Sequence, residues 1–318
     1  MQSYDAPPTE DTVLSVLSGT PIEQAANRAR TSCAQLASAI ERYRAAGRAA
    51  LEQQPSHWHQ MNIQFSDYTA AAHTFRTCLL PALHNGAVGA WWFVRKNPYW
   101  RLRVHPSQGT HTENTITHMT QALETAVTRG AVKEWRSSLY EPETIAFGGP
   151  EGMALAHDLF HTDSENIFEY DQHYEGRRNG TPDAKATSLL LIALFLRAAG
   201  LEWGEQGDVW GQIEARRPLP ADVPRDKVSG MVGAMRQLLT SDTGPALTNN
   251  SLSPLRNWVN GMESGGRSLK DAAAEGRLTL GLRAILARHA LFHWNRMGFT
   301  VRQQAIWARA AREAVFGE

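Results

Sequence analysis

The stretch Trp91-Trp-Phe-Val-Arg-Lys-Asn-Pro-Tyr-Trp-Arg-Leu-Arg-Val104 restricts the fold more than any other part of the chain. Its aromatic and β-branched residues favour strands. Asn97-Pro98 marks a turn or bulge that divides Ala90–Val104 into two strand halves. The second half closes in Arg101-Leu102-Arg103. Alternate side chains of a strand share a face, so both guanidinium groups point the same way, about 7 Å apart. An unpaired buried charge is costly, so half-buried arginines need anionic partners. The pair therefore predicts a carboxylate or phosphate site, which the planar guanidinium grips with two hydrogen bonds. The plainer alternative is a solvated strand face paired with surface acids.

Around this strand pair the patterning predicts a strand at His57–Asp67, a helix at Tyr68–Leu83, a helix at Glu113–Arg129 and a strand at Val132–Tyr140. Glu141–Pro150 reads as a loop, Glu151–Asp163 as an amphipathic helix, and Ala184–Ala199 as a buried helix closed by Gly200. Prolines make Trp203–Lys227 a loop, followed by a short helix at Val228–Leu239. Thr240–Ser268, rich in Gly, Ser, Asn and Pro, reads as a long loop with at most one turn around Leu255–Val259, before the final helices Leu269–Met297 and Val301–Phe316. The two long loops are candidate walls of a peptide channel. Strands come early and helices late, which predicts an α+β fold. The expectation is a mainly antiparallel sheet flanked by helices, with an N-terminal helical bundle and a helix-rich C-terminal half. Residues 1–10 form a loose polar tail, and three short helices follow to about Gln54. Residues 1–54 are thus a helical extension, either a peptide- or DNA-docking module or, the preferred reading, a plain cap, and residues 55–318 are the catalytic domain.

Lys+Arg and Asp+Glu each number 32, so the formal net charge is zero and the basic excess of a nucleic-acid-binding domain is missing. No stable nucleic-acid contact is expected. Two cysteines, Cys33 and Cys78, make no disulfide framework or zinc pair, which fits a cytoplasmic home. The N-terminus lacks the apolar core of a signal peptide. The longest apolar run, Leu189–Phe195, is too short to span a bilayer, so no membrane partner is expected.

Two histidine pairs sit at helical spacing, His157 with His161 and His289 with His293. Neither carries the internal Glu of the zinc-protease pattern, so a metal is not expected. Packing is the preferred reading of His157 and His161. His293, beside Asn295 and Arg296, is a candidate acid or base, because an imidazole titrates near neutral pH. Phe147-Gly148-Gly149-Pro150 opens the helix that follows it and lacks the Gly-Lys-Ser/Thr of a P-loop. No nucleophile elbow and no dinucleotide fingerprint occurs.

Three ordered blocks carry a resemblance. They are Trp91-Trp-Phe-Val-Arg-Lys…Trp100-Arg-Leu-Arg-Val104; Tyr140-Glu-Pro-Glu-Thr-Ile-Ala-Phe-Gly-Gly149 with Met153-Ala-Leu-Ala-His-Asp-Leu-Phe-His-Thr-Asp-Ser164; and His293-Trp-Asn-Arg296. From about His57 onward the chain resembles the thiopeptide-type bacteriocin biosynthesis domain, related to the C-terminal elimination domain of class I lantibiotic dehydratases. The resemblance implies a lyase that removes glutamate from glutamylated Ser or Thr of a ribosomally made precursor peptide, leaving dehydroalanine or dehydrobutyrine. No cofactor is implied. The implied partners are the precursor peptide and a separate tRNA-dependent glutamylating enzyme, and a homodimer is allowed.

The matching positions put Arg101, Arg103 and His293 forward as catalytic residues. Arg95, Tyr140, Glu143, Asn295 and Arg296 are put forward as substrate-binding residues. The chain departs from the pattern at Ala146, where lantibiotic members carry an arginine; either another arginine, Arg95 or Arg136, supplies that charge, or the chemistry differs. The alternative reaction in this fold is the formal [4+2] cycloaddition that builds the thiopeptide pyridine and releases the leader peptide.

Overall fold

The computed structural model describes residues 9–52, 57–174, 183–241 and 253–317. The chain divides into two compact units, Met1–Ser56 and His57–Glu318. Most of the expected N-terminal tail lies outside the described residues.

The first unit contains α1 (Glu10–Leu17), α2 (Ile22–Ala29) and α3 (Cys33–Glu52). Val13, Ala25, Ala26, Leu36 and Ile40 form a small core of their own. Pro21 stands at the N-cap of α2, immediately before its first residue.

The second unit opens with β1 (His59–Phe65) and a helical segment made of α4 (Ala71–Thr74), a π-turn (Phe75–Leu79) and α5 (Leu80–Leu83). Then come β2 (Val88–Lys96), β3 (Tyr99–Pro106), α6 (Thr112–Thr128) and β4 (Val132–Ser138). The strands form one antiparallel sheet in the order β2-β3-β1-β4. The fold class is α+β, an antiparallel sheet flanked by helices.

Period-two alternation gives this sheet two unlike faces. Met61, Ile63, Trp91, Phe93, Trp100 and Leu102 lie on one face, all buried. Phe75 of the π-turn packs among them, 5.6 Å from Phe93 and 5.6 Å from Trp100 between ring centroids. The other face carries Trp92, Val94, Arg101, Arg103, Gln60, Asn62, Arg136 and Ser138. Both arginines of the Arg-x-Arg strand therefore share one face.

The helical half begins at a 3-10 turn (Thr144–Phe147) and α7 (Gly149–Tyr174). It continues through α8 (Ala184–Ala198), α9 (Trp203–Arg216), α10 (Arg225–Ser229) and α11 (Val232–Thr240). It ends in α12 (Arg256–Ala274), α13 (Leu282–Met297) and α14 (Val301–Phe316). Residues Thr187–Leu196 of α8 are all buried, as the apolar run predicts. None of the described helices is long and apolar enough to cross a membrane.

Two expected loops are helices. The prolines of the first begin only at Pro218, and Trp203–Arg216 contains none. There Gln206, Val209, Trp210 and Ile213 make a buried stripe, and Glu202 with Glu205 forms a capping box. In the second, α12 tolerates Gly261, Gly265 and Gly266 because neighbours approach where a side chain would stand. A Cβ on Gly266 would lie 2.6 Å from the Phe195 carbonyl oxygen of α8. Residues 242–252 of that expected loop lie outside the described residues. The expected final helix pair also breaks earlier, at Glu275–Gly281, so that α12 and α13 are separate.

Candidate active site

The polar sheet face opens into a cavity of about 710 Å3, within the usual range for ligand sites. The sheet supplies Trp92, Val94, Arg101 and Arg103, and the segment after β4 supplies Tyr140, Glu141 and Glu143. Phe147, Phe160 and Phe292 form an aromatic wall, with Phe160 and Phe292 stacked at 5.0 Å. Arg216 and Arg217 enter from the end of α9, and Arg288, Leu291 and Asn295 from one stripe of α13.

Arg103 is the pivot. It is only 7% exposed, and its guanidinium lies 4.1 Å above the Trp92 ring. Its Nε donates to Gln60 Oε1 at 2.7 Å and its Nη1 to the Arg101 carbonyl at 3.3 Å. Gln60 Nε2 in turn donates to Ser138 Oγ at 2.7 Å, and Asn62 Nδ2 to the same oxygen at 3.0 Å. These neighbours are neutral. Among the described residues, no carboxylate forms an ion pair with Arg101 or Arg103. Burial, joined by repulsion from Arg101, pushes the Arg103 guanidinium down to about 9. It stays charged at neutral pH, so the site holds a buried cation at the wall of a cavity whose lining also includes Glu143.

Tyr140 stands edge-on to Trp92 at 6.0 Å, and its hydroxyl meets His157 Nε2 of α7 at 2.7 Å. Burial raises the Tyr140 phenol, with Arg103 opposing. Burial likewise pushes His157 down to about 4, so its imidazole is neutral. Glu143 Oε2 accepts from Arg288 Nη1 at 2.6 Å across the cavity rim.

Arg95 borders the cavity but belongs to the other sheet face, lying 4.8 Å over Trp100 and 3.9 Å from Asp171. Arg136 lies 5.1 Å over Tyr99 and does not line the cavity. A guanidinium that does reach the second block is Arg288 of α13, which meets Glu143, three residues before Ala146.

His293 and Arg296 do not reach this cavity, contrary to the sequence expectation. His293 is 1% exposed and Arg296 1%. His293 Nδ1 lies 2.9 Å from Asp163 Oδ1, and its Nε2 lies 2.9 Å from Ser188 Oγ. Arg296 Nε donates to Asp163 Oδ2 at 2.7 Å, and Trp258 Nε1 to Asp163 Oδ1 at 2.8 Å. Burial raises the Asp163 carboxyl, but the His293 and Arg296 charges and hydrogen bonds outweigh it and hold it well below the usual carboxylate range. Ser188, His293 and Asp163 reproduce the Ser–His–Asp order of hydrolases, with all three side chains buried. The helix period explains the miss. Residues 289, 293 and 296 make one stripe of α13, while 288, 291, 292 and 295 make the stripe that faces the sheet.

Gly148 and Gly149 both have positive φ, 87° and 95°, and seat the turn against the segment before α13, where Thr279 N donates to the Gly148 carbonyl at 2.9 Å. Among the described residues, no group of three or more His, Cys, Asp or Glu is arranged to hold a metal. Sequence reasoning missed His157 as a site residue, and also Arg216, Arg217 and Arg288. The only signal was the Arg216-Arg217 doublet.

A family of peptide-antibiotic biosynthetic enzymes shares this architecture. Residues 58–315 match the family model "Lantibiotic biosynthesis dehydratase C-term", and the chain belongs to that family. The tRNA-dependent lantibiotic dehydratase MibB from Microbispora sp. 107891 superposes with a TM-score of 0.62 at 16% identity, over 82% of this chain and 28% of MibB. This chain thus spans little more than a quarter of that relative. TsrL superposes with a TM-score of 0.55 at 14% identity, over 82% of this chain and 95% of TsrL. TbtD, a pyridine synthase from thiomuracin biosynthesis, gives 0.51 at 14% identity, over 81% of this chain and 97% of TbtD. At such identities these likenesses establish the fold alone. A search of curated proteins finds no match.

Proposed function

We propose that the chain is a lyase that removes glutamate from glutamylated Ser or Thr of a ribosomally made precursor peptide. One observation carries this reading: Arg101 and Arg103 face a single cavity with no carboxylate partner among the described residues. β-Elimination removes a peptide α-proton and expels a carboxylate. The buried Arg103 guanidinium, with the half-buried Arg101 beside it on the same face, binds that departing anion and stabilises enolate charge on the way. Lys96, Arg216 and Arg217 add positive charge to the same walls, which suits an acidic ligand. Asn295, Tyr140, Glu143 and the rim residue Arg95 remain candidate peptide contacts. His293 and Arg296 leave the candidate set and hold Asp163 in the core. The substrate is supplied by a separate glutamylating enzyme that uses charged tRNA.

The decisive experiment is to incubate the protein with a glutamylated precursor and follow peptide mass. Loss of the glutamyl group with gain of a dehydro residue is the expected result. Adducts that persist while a known eliminating enzyme clears them reject the reading.

A specific observation favours a second reading, the pyridine-forming [4+2] cycloaddition. No imidazole lines the cavity among the described residues. A dehydrated, azole-bearing peptide converted to a macrocycle with release of the leader identifies that reaction.

A further inference from the structure

With His293 enclosed in the core, the proton acceptor of the site must be sought on the cavity wall. Among the described residues, His157 is the one imidazole hydrogen-bonded to a cavity-lining side chain, through the 2.7 Å contact between its Nε2 and the Tyr140 hydroxyl. Tyr140 is 7% exposed, and its ring lies 5.7 Å from the Arg103 guanidinium, so the phenol stands beside the anion site. His157 packs against Trp58 at 4.6 Å, Trp58 against His105 at 5.3 Å, and His105 against His57 at 5.9 Å, a row of rings running from the cavity wall to the exposed His57.

We propose that Tyr140 and His157 form the proton acceptor of this site, with Tyr140 as the catalytic residue and His157 as the positioning residue behind it. The assignment rests on the lyase reading above. Tyr140 Oη takes the α-proton of the glutamylated residue as its own hydroxyl proton passes to His157 Nε2. The C–H electron pair becomes the new C=C bond, the Cβ–O bond breaks, and its electron pair leaves on the glutamate carboxylate held by Arg101 and Arg103. The phenol ends neutral and the imidazole ends as a cation, so the charge balances. The tautomer this requires carries its resting proton on Nδ1.

The charged and titratable groups that face the pair are Arg103 and His105 of β3 and Glu143 of the segment after β4. Arg103 and His105 both disfavour a charged His157, and burial acts in the same direction. The resting imidazole therefore stays neutral and able to accept well below pH 6.5. It gains its proton as the negative leaving group forms nearby.

The test compares wild type, Tyr140→Phe and His157→Gln on the glutamylated peptide, with kcat, KM and the pH profile measured for each. Phe keeps the ring, and Gln keeps an oxygen that accepts from the phenol without taking its proton, so thermal melts should match wild type. The expected result is a loss of about 10²–10³-fold in kcat for each variant, with KM little changed. The acid limb of the wild-type profile should fall well below pH 6.5 and vanish in His157→Gln. Wild-type kcat and profile in either variant overturn the relay while the lyase reading stands. An inactive wild type on a peptide that a known eliminating enzyme accepts overturns the lyase reading, and the relay with it.

Discussion

His293 and Asp163 are joined in the protein interior, Nδ1 to Oδ1 at 2.9 Å, each side chain 1% exposed. Asp163 also accepts from Arg296 and Trp258, so one buried carboxylate organises α7, α12 and α13. Removing it strands a buried guanidinium. Asp163→Ala should therefore destabilise the fold by about 3–5 kcal/mol, read from urea denaturation. A loss below about 1 kcal/mol would show that the network contributes little.

His289 gives the fold an acid sensitivity. Its ring lies among Phe147, Phe160 and Phe195, neither ring nitrogen has a partner among the described residues, and burial pushes it down to about 3. The folded value is below the unfolded one of about 6.5. Stability is therefore complete above that pH and lost as the pH falls towards about 3, at up to about 1.4 kcal/mol per pH unit. His289→Phe should flatten this fall, compared by denaturation midpoints at about pH 7.5 and about pH 5. The same pH dependence in variant and wild type would contradict it.

Arg103 should trade stability for function. It is a desolvated cation without a carboxylate, so Arg103→Met should leave stability within about 1 kcal/mol of wild type or raise it, while elimination is lost. The same cation makes a product site. Free glutamate should raise the melting temperature of wild type and leave that of Arg103→Met unmoved. Equal shifts in both proteins would place the anion elsewhere.

Gly266 tests the packing of α12. Alanine favours a helix over glycine by about 1 kcal/mol, yet here its methyl would meet the Phe195 carbonyl at 2.6 Å. Gly266→Ala should lower stability by about 1–3 kcal/mol. A stabilised variant would mean that α8 and α12 shift apart at no cost.

Much of the fold is legible in the chain because it depends on local periodicity. The aromatic run over residues 91–104 specifies β2 and β3, and alternation alone places Arg101 and Arg103 on one face. The buried stripe of α8 reads equally directly. Glycines hid α12, and the prolines beyond Arg216 masked α9. In both helices the compensation is tertiary: close approach to α7 and α8 in one, and burial of the Gln206, Val209, Trp210 and Ile213 stripe in the other.

The sequence by itself determined the strand pair, its two guanidinium groups and the two separate stripes of α13. Which stripe faces the sheet was decided only by the packed structure. Asp163 lies in the core on α7 and needs cationic and N–H donors there, which draws His293 and Arg296 inward. Arg288, Leu291 and Asn295 are thereby turned towards the cavity, and Tyr140 with His157 supplies the imidazole contact that the C-terminal block does not.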